Sequence, residues 1–222
     1  MNLFKLEHSL SAYRADFMLY CVVIVSLGVV VAVAAPVADR LLIMGLALLG
    51  MASGPLFEYW LHRSVLHGIK PFSTWHAEHH RRPAALICTP TLVSVALIAA
   101  LVFLPVWLMG GLWPACAFTF GFLVSYLAYS ITHHAIHHWR RDTVWLRQRK
   151  RWHARHHDSH RRQQPGQYGV TTALWARVFG TDQGKDVVAP LVVEAHGDSP
   201  TATPPATGIS GMSRARTGSC PI

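Results

Sequence analysis

Four apolar runs of bilayer length constrain this chain more than any other feature. They cover roughly residues 17–35, 41–60, 86–109 and 112–131. A helix needs about 20 apolar residues to cross a hydrocarbon core. A backbone in lipid must also satisfy its own hydrogen bonds, and a helix does so within one segment. The expected fold is therefore all-α, an integral membrane protein with about four transmembrane helices. Composition agrees, because 51% hydrophobic and only 14% charged residues point away from an ordinary soluble domain. The first run lacks the form of a cleavable signal peptide and is read as a span. Pro36 and Asp39-Arg40 mark a tight turn between the first two runs, and Gly110-Gly111 makes the next pair a hairpin. Gly45, Gly50 and Gly54 offer the second span a close helix contact, and Pro55 kinks its end.

The polar remainder is dominated by histidine. Of fifteen His, thirteen lie in four stretches: His62 to His67, His76 to His80, His133 to His138 and His153 to His160. Packing does not explain that concentration, and neutral imidazole is the commonest protein metal ligand. Residues three and four apart share a helix face, so His76, His79 and His80 can aim at one point, as can His153, His156 and His157. His133 and His137 are four apart, but so are His134 and His138, and spacing leaves both registers open. His62 and His67 are five apart, roughly 140° on an ideal helix. That pair must straddle a helix end, sit on a bulge or serve two metals. His8 and His196 stand alone and are read as structural.

No carboxylate or Cys pair shares this spacing, so the donors are nearly all nitrogen. Such sites suit iron, zinc, copper or nickel rather than magnesium or calcium. Cys21, Cys88, Cys116 and Cys220 are scattered, with neither a disulfide framework nor a zinc-ribbon spacing, so a reducing compartment on the active face is expected.

The net charge of +9 is not read as a nucleic-acid signal, because the basic residues flank apolar segments. Of twenty Lys and Arg, only Arg40 falls in an expected outer loop. The positive-inside rule then puts the N-terminus and every histidine stretch on the cytoplasmic side. The Arg140-Arg141 and Arg161-Arg162 pairs are read as topology or lipid-contact residues. Residues 1–16 are expected to form an interfacial segment and 17–183 a membrane-embedded domain, with a cytosolic helical cap from 62–85 and 132–183. Residues 163–181 read as an ordered loop leading into a short helix. Residues 184–222, rich in Pro, Thr, Ser, Gly and Ala, read as a disordered tail.

With these residues together, the sequence resembles the fatty acid hydroxylase and sterol desaturase superfamily of histidine-box membrane oxygenases. The resemblance rests on Glu58-Tyr59-Trp60-Leu61-His62-Arg63 through His67, on His76-Ala77-Glu78-His79-His80, and on Thr132-His133 with His137. It continues through His153-Ala154-Arg155-His156-His157 and Tyr168-Gly169-Val170-Thr171-Thr172-Ala173-Leu174-Trp175. It implies a cytosolic cap over two metals held by His62, His67, His76, His79, His80, His133, His137, His153, His156 and His157. Thr132 ahead of His133 selects that register, leaving His134, His138 and His160 as neighbours of the site or surface residues. The implied cofactors are two iron ions, with zinc as an alternative metal, and O₂ as co-substrate. The implied reaction is hydroxylation of a lipid C–H bond, with a fatty acyl chain ahead of a sterol or carotenoid. No cytochrome b5-like segment is visible, so a separate ferredoxin- or cytochrome b5-like protein would supply electrons.

Glu58, Glu78 and Asp158 are the acids available to orient ligand imidazoles, and Glu58 could instead pair with Arg63. Tyr168 and Trp175 read as cap packing. A desaturase of the same superfamily is the first alternative function. A metal-binding or metal-transport membrane protein is the alternative from another class, although the span centres lack His, Asp and Glu.

Overall fold

The computed structural model describes residues 7–140, 143–161 and 166–182. The expected tail at 184–222, with His196 and Cys220, lies outside them. The described residues are helical, with one isolated antiparallel bridge between Glu7 and Ile87.

Helix α1 runs Leu10–Ala34, and Ser9 caps it by accepting the Ala12 amide at 3.2 Å. It therefore begins before the apolar run at Phe17 and takes up Tyr13 and Asp16, which sequence reading left in the interfacial segment. The cap and the helical hydrogen bonds fix where a helix starts, whatever the polarity of its first turns. A 3₁₀ turn, Val37–Asp39, leads into α2, Arg40–Trp60, which continues into a π-helical turn at Leu61–Leu66. Helix α3 is Phe72–Arg81. The third span is α4, Thr91–Ile98, a π-helical stretch at Ala99–Phe103, and α5, Leu104–Gly110. It starts later than residue 86 because Pro90 precedes the helix and the His8 amide binds the Leu86 carbonyl at 3.0 Å. Pro105 cannot donate to the helical ladder, and the widened π stretch lies just before it. Gly111, at φ +85°, makes the sharp reversal that a side chain would strain. Helix α6, Leu112–His138, continues past residue 131 through the third histidine stretch. Helices α7, Val144–Arg161, and α8, Leu174–Val178, complete the cap.

Four segments are long and apolar enough to cross a membrane: Leu10–Ala34, Val37–Leu66, Thr91–Gly110 and Leu112–His138. Their outer faces carry bare aliphatic side chains, with Val33 and Leu41 each 80% exposed. Apolar exposure on that scale requires lipid, so this is a multi-pass membrane protein. Helix α6 is the most buried span and packs against both α1 and α2.

The α2–α6 contact depends on missing side chains. A Cβ at Gly121 would overlap the Ala47 carbonyl oxygen, and one at Gly50 would overlap that of Phe118. Small residues allow such backbone approach where no hydrophobic effect drives helices together. Gly45 faces open space. We expect Gly121→Val to lower stability by ~1–3 kcal/mol or more through overpacking, read as a fall in the unfolding midpoint in detergent. Gly45→Ala should leave that midpoint unchanged or slightly raised.

Candidate metal centre

The cap-side ends of α2 and α6, with α3 and α7, bring the histidine stretches together. Two groups form. His62, His67, His76, His80 and His156 make one, and His79, His133, His137 and His153 the other; within each, one ligand atom per residue lies within 4.8 Å of all the rest. His157 lies against the second group, with its Nε2 3.0 Å from that of His153 and its ring stacked on His80 at 4.2 Å. All ten residues named by the resemblance therefore meet in one place.

The π-helical turn explains the awkward first pair. A π turn closes i→i+5 rather than i→i+4. Opening the helix at Leu61–Leu66 brings His62 and His67 to one side, with ring centroids 5.2 Å apart. Both enter the same group, and the pair both sits on a bulge and straddles the helix end, because His67 is the residue that caps the π turn. Helix α3 divides its donors instead: His76 and His80 enter one group and His79 the other. Helix α7 does the same with His156 and His153.

Six of the ten residues are buried, His62, His79, His80, His153, His156 and His157, and the other four are partly buried. Burial, then neighbouring imidazoles, pushes His79 down to about 3, and the same causes hold His76 and His153 well below the usual histidine range. His62 Nδ1 donates to the Tyr168 carbonyl at 2.5 Å, and His156 Nδ1 donates to the Gly166 carbonyl at 2.9 Å. A carbonyl only accepts, so each Nδ1 carries the proton and each Nε2 presents a lone pair. His62 Nε2 and His80 Nε2 both lie 2.9 Å from His76 Nε2. His137 and His157 both place Nε2 3.0 Å from His153 Nε2. One Nε2 has a single proton or a single lone pair, so it cannot satisfy two such neighbours. His79 is 5% exposed, and neither of its ring nitrogens has a hydrogen-bond partner. A cation among the nitrogens resolves all of this, because one cation accepts the lone pairs of several neutral imidazoles at once. The residues fit a nitrogen-bound transition metal.

The acids act differently from the sequence expectation. Glu58 acts on the loop beside the rings. Its carboxylate accepts the Val170 amide at 2.5 Å, the Thr171 amide at 3.1 Å and the Thr171 hydroxyl. It thus fixes the loop whose Tyr168 and Gly166 carbonyls orient His62 and His156. Arg63 donates to the Tyr59 hydroxyl at 3.0 Å, so the suggested Glu58–Arg63 pair is replaced by this contact. Glu78 is held by Arg81 and by Arg82 Nε at 2.6 Å, on the exposed side of α3. Asp158 is exposed. His134 stacks on His138 at 4.7 Å and meets the Tyr13 hydroxyl at 3.2 Å, on the α1 side of α6. The His160 side chain lies outside the described residues. Tyr168 does pack in the cap, with Tyr59, Trp152, Ala173 and Ala176, and its ring also covers His62, His67 and His156 at 5.4–5.8 Å. Sequence spacing could not reveal backbone carbonyls as the imidazole partners. The density of polar and small residues at 166–172 after the last histidine stretch was the available signal.

Helical spans closing over two buried clusters of neutral imidazoles define a membrane-bound histidine-box metalloprotein. The sequence profile of the family described as fatty acid hydroxylase matches residues 47–181. This chain belongs to that family. It is 33% identical over 150 residues to a dihydroceramide fatty acyl 2-hydroxylase of Arabidopsis thaliana, covering 61% of this chain and 59% of that one. It is 28% identical over 155 residues to the human fatty acid 2-hydroxylase, covering 62% and 39%. The chain thus spans less than two thirds of the length of either relative. Among solved structures, the full-length scs7p, in which only the hydroxylase domain is visible, aligns with a TM-score of 0.66 at 25% identity. That alignment covers 82% of this chain and 69% of that one.

Removing Glu58 leaves two buried amides without an acceptor, at a cost of about 1–3 kcal/mol each. Glu58→Ala should therefore raise amide exchange across 166–171 by about tenfold or more, with the spans unaffected in hydrogen-exchange mass spectrometry.

Proposed function

We propose that this chain is an O₂-dependent di-iron oxygenase that hydroxylates a lipid acyl chain, with all ten boxed histidines as metal ligands. The observation that carries this reading is an apolar cavity of about 250 Å³ between α2, α4 and α6. It runs within the spans along Phe57, Leu97, Leu101 and Phe122 and ends at His62. A cavity lined by aliphatic and aromatic side chains holds a hydrocarbon tail without leaving polar groups unpaired. Its position lets that tail arrive from the bilayer and places a carbon beside the buried imidazoles.

Two iron ions held by these residues would supply the activation of dioxygen and the attack on the C–H bond. The balance is one oxygen atom inserted into C–H and the other released as water, with two electrons from a donor protein and two protons from solvent. The protein's part is positional. The Tyr168 and Gly166 carbonyls hold two imidazoles in the lone-pair-forward tautomer. The Tyr168 ring shields one donor group from water. The apolar walls keep the reactive end of the cavity dry.

A ferredoxin- or cytochrome b5-like donor fits the exposed basic face of α7, where Arg147, Arg151 and Arg155 stand, because positive charge steers an acidic partner to the cap. The charge asymmetry around the spans supports a cytoplasmic cap. The names of the relatives favour hydroxylation over desaturation. A transporter would need donors along the bilayer, whereas all ten boxed rings gather at one end of the spans.

Metal analysis of the purified protein should give two iron equivalents. His156→Ala and His133→Ala, one from each group, should each lose half of the metal or more, and full loading of both would remove the ligand assignment. Lipid mass spectrometry of cells expressing the chain should show species heavier by about 16 mass units, one inserted oxygen atom. His79→Ala should abolish them, and a loss of two mass units instead would indicate desaturation.

A further inference from the structure

Helix α8 turns three large apolar side chains outward. Leu174 and Val178, four apart, share one side of it, and with Phe179 they are 54%, 60% and 50% exposed. The other side packs inward, where Ala176 is buried with Tyr59, Trp152, Tyr168 and Ala173, and Trp175 lies against them. Arg177 is the only charged residue of α8, and its Nε faces the Asp182 carboxylate at 3.5 Å.

The helix is also pinned at one depth. The Phe179 ring stacks on that of Tyr59 with centroids 5.2 Å apart, and the Tyr59 hydroxyl meets that of Thr181 at 3.0 Å. Tyr59 is the second-last residue of α2, which begins at Arg40. At the helical rise the two are separated by about 28 Å along the axis, close to the ~30 Å of a hydrocarbon core. The next residue, Trp60, is exposed, and tryptophan is enriched at the membrane–water boundary. Helix α8 is therefore fastened to the point where the second span leaves the bilayer. Its bare apolar side chains stand at the edge of the lipid-facing surface that the spans already present.

We infer that α8 is an interfacial helix whose Leu174, Val178 and Phe179 side chains lie in the boundary between acyl chains and head groups. A helix with one apolar side and one packed or polar side lies in the plane of that boundary rather than across it. Arg177 can lay its stem along the apolar surface and keep its guanidinium among the head groups. The loop just before α8 carries the Gly166 and Tyr168 carbonyls bonded to His156 and His62. The bilayer thus holds the downstream end of the segment that orients those two rings.

The test is photocrosslinking, and it needs neither metal nor turnover. Val178→p-benzoylphenylalanine is made in the full-length protein, which is reconstituted into detergent-free phosphatidylcholine vesicles and illuminated. Mass spectrometry of the peptide containing α8 then separates lipid adducts from peptide adducts. The same probe at Val33, exposed on a span, sets the yield for lipid contact, and at Arg151, exposed on α7, the yield away from lipid. Lipid adducts at Val178 should exceed those at Arg151 by about threefold or more, as for a side chain resting among acyl chains. A smaller excess would overturn the inference, and so would adducts mainly to peptide, whether from residues 184–222 or from a second copy of the chain. Leu174→p-benzoylphenylalanine provides the same reading should the Val178 variant fail to reconstitute.

Discussion

Neutral imidazole lone pairs pressed against one another are the constraint on which the rest of this structure depends. His76 Nε2 stands 2.9 Å from two other Nε2 atoms, and His153 Nε2 stands 3.0 Å from two more. Such an arrangement repels itself unless a cation sits among the nitrogens. Metal binding and folding of the cap should then be one equilibrium, because ligands assembled from four segments do not exist as a site in the unfolded chain. Small hydrogen bonds decide which way each ring faces. Two backbone carbonyls set the tautomers of His62 and His156, and Glu58 holds the loop that presents them.

The membrane spans are the second half of the same device. Helices α2 and α6 approach at Gly50 and Gly121 closely enough that neither position admits a side chain. Each then carries its helix beyond the apolar run, α2 into the π turn with His62 and α6 through His133 and His137. Rigid helical extension fixes these donors relative to the bilayer. The apolar cavity beneath them lies among the same helices, so one packing contact sets both the donor positions and the walls that face His62.

Much of this was legible in the sequence, and the failures share a physical cause. Apolar run length gave four helices, but i, i+3, i+4 spacing, which let each H-x-x-H-H stretch aim at one point, missed that α3 and α7 each divide their histidines between two groups. The five-residue gap from His62 to His67 announced a departure from α geometry without saying which, and the structure combines two of the options, a π turn and a helix end at His67. Polarity misplaced the start of α1: Arg14 and Asp16 look extramembranous, yet the helix runs through them. Glu58 and Glu78 were equivalent as nearby acids. One lies over the loop and the other faces Arg81 and Arg82, a distinction set by helix rotation that spacing to a box does not encode. Likewise, His134 and His138 share the spacing of His133 and His137, but His134 meets Tyr13 and Phe17 of α1, and only the preceding Thr132 told the registers apart.

The misplaced start of α1 has a functional corollary. A polar first turn and a half on a membrane helix leaves groups with no reason to face lipid, and burying them is costly unless they find partners. Tyr13 finds His134, and Asp16 finds Thr91. Those contacts give a span that is otherwise mostly lipid-facing one side, through Tyr13, Asp16 and Phe17, on a space of about 130 Å³ that His76, His79 and His133 also line. Residues that carry the metal chemistry are confined by coordination geometry to a few positions on four segments.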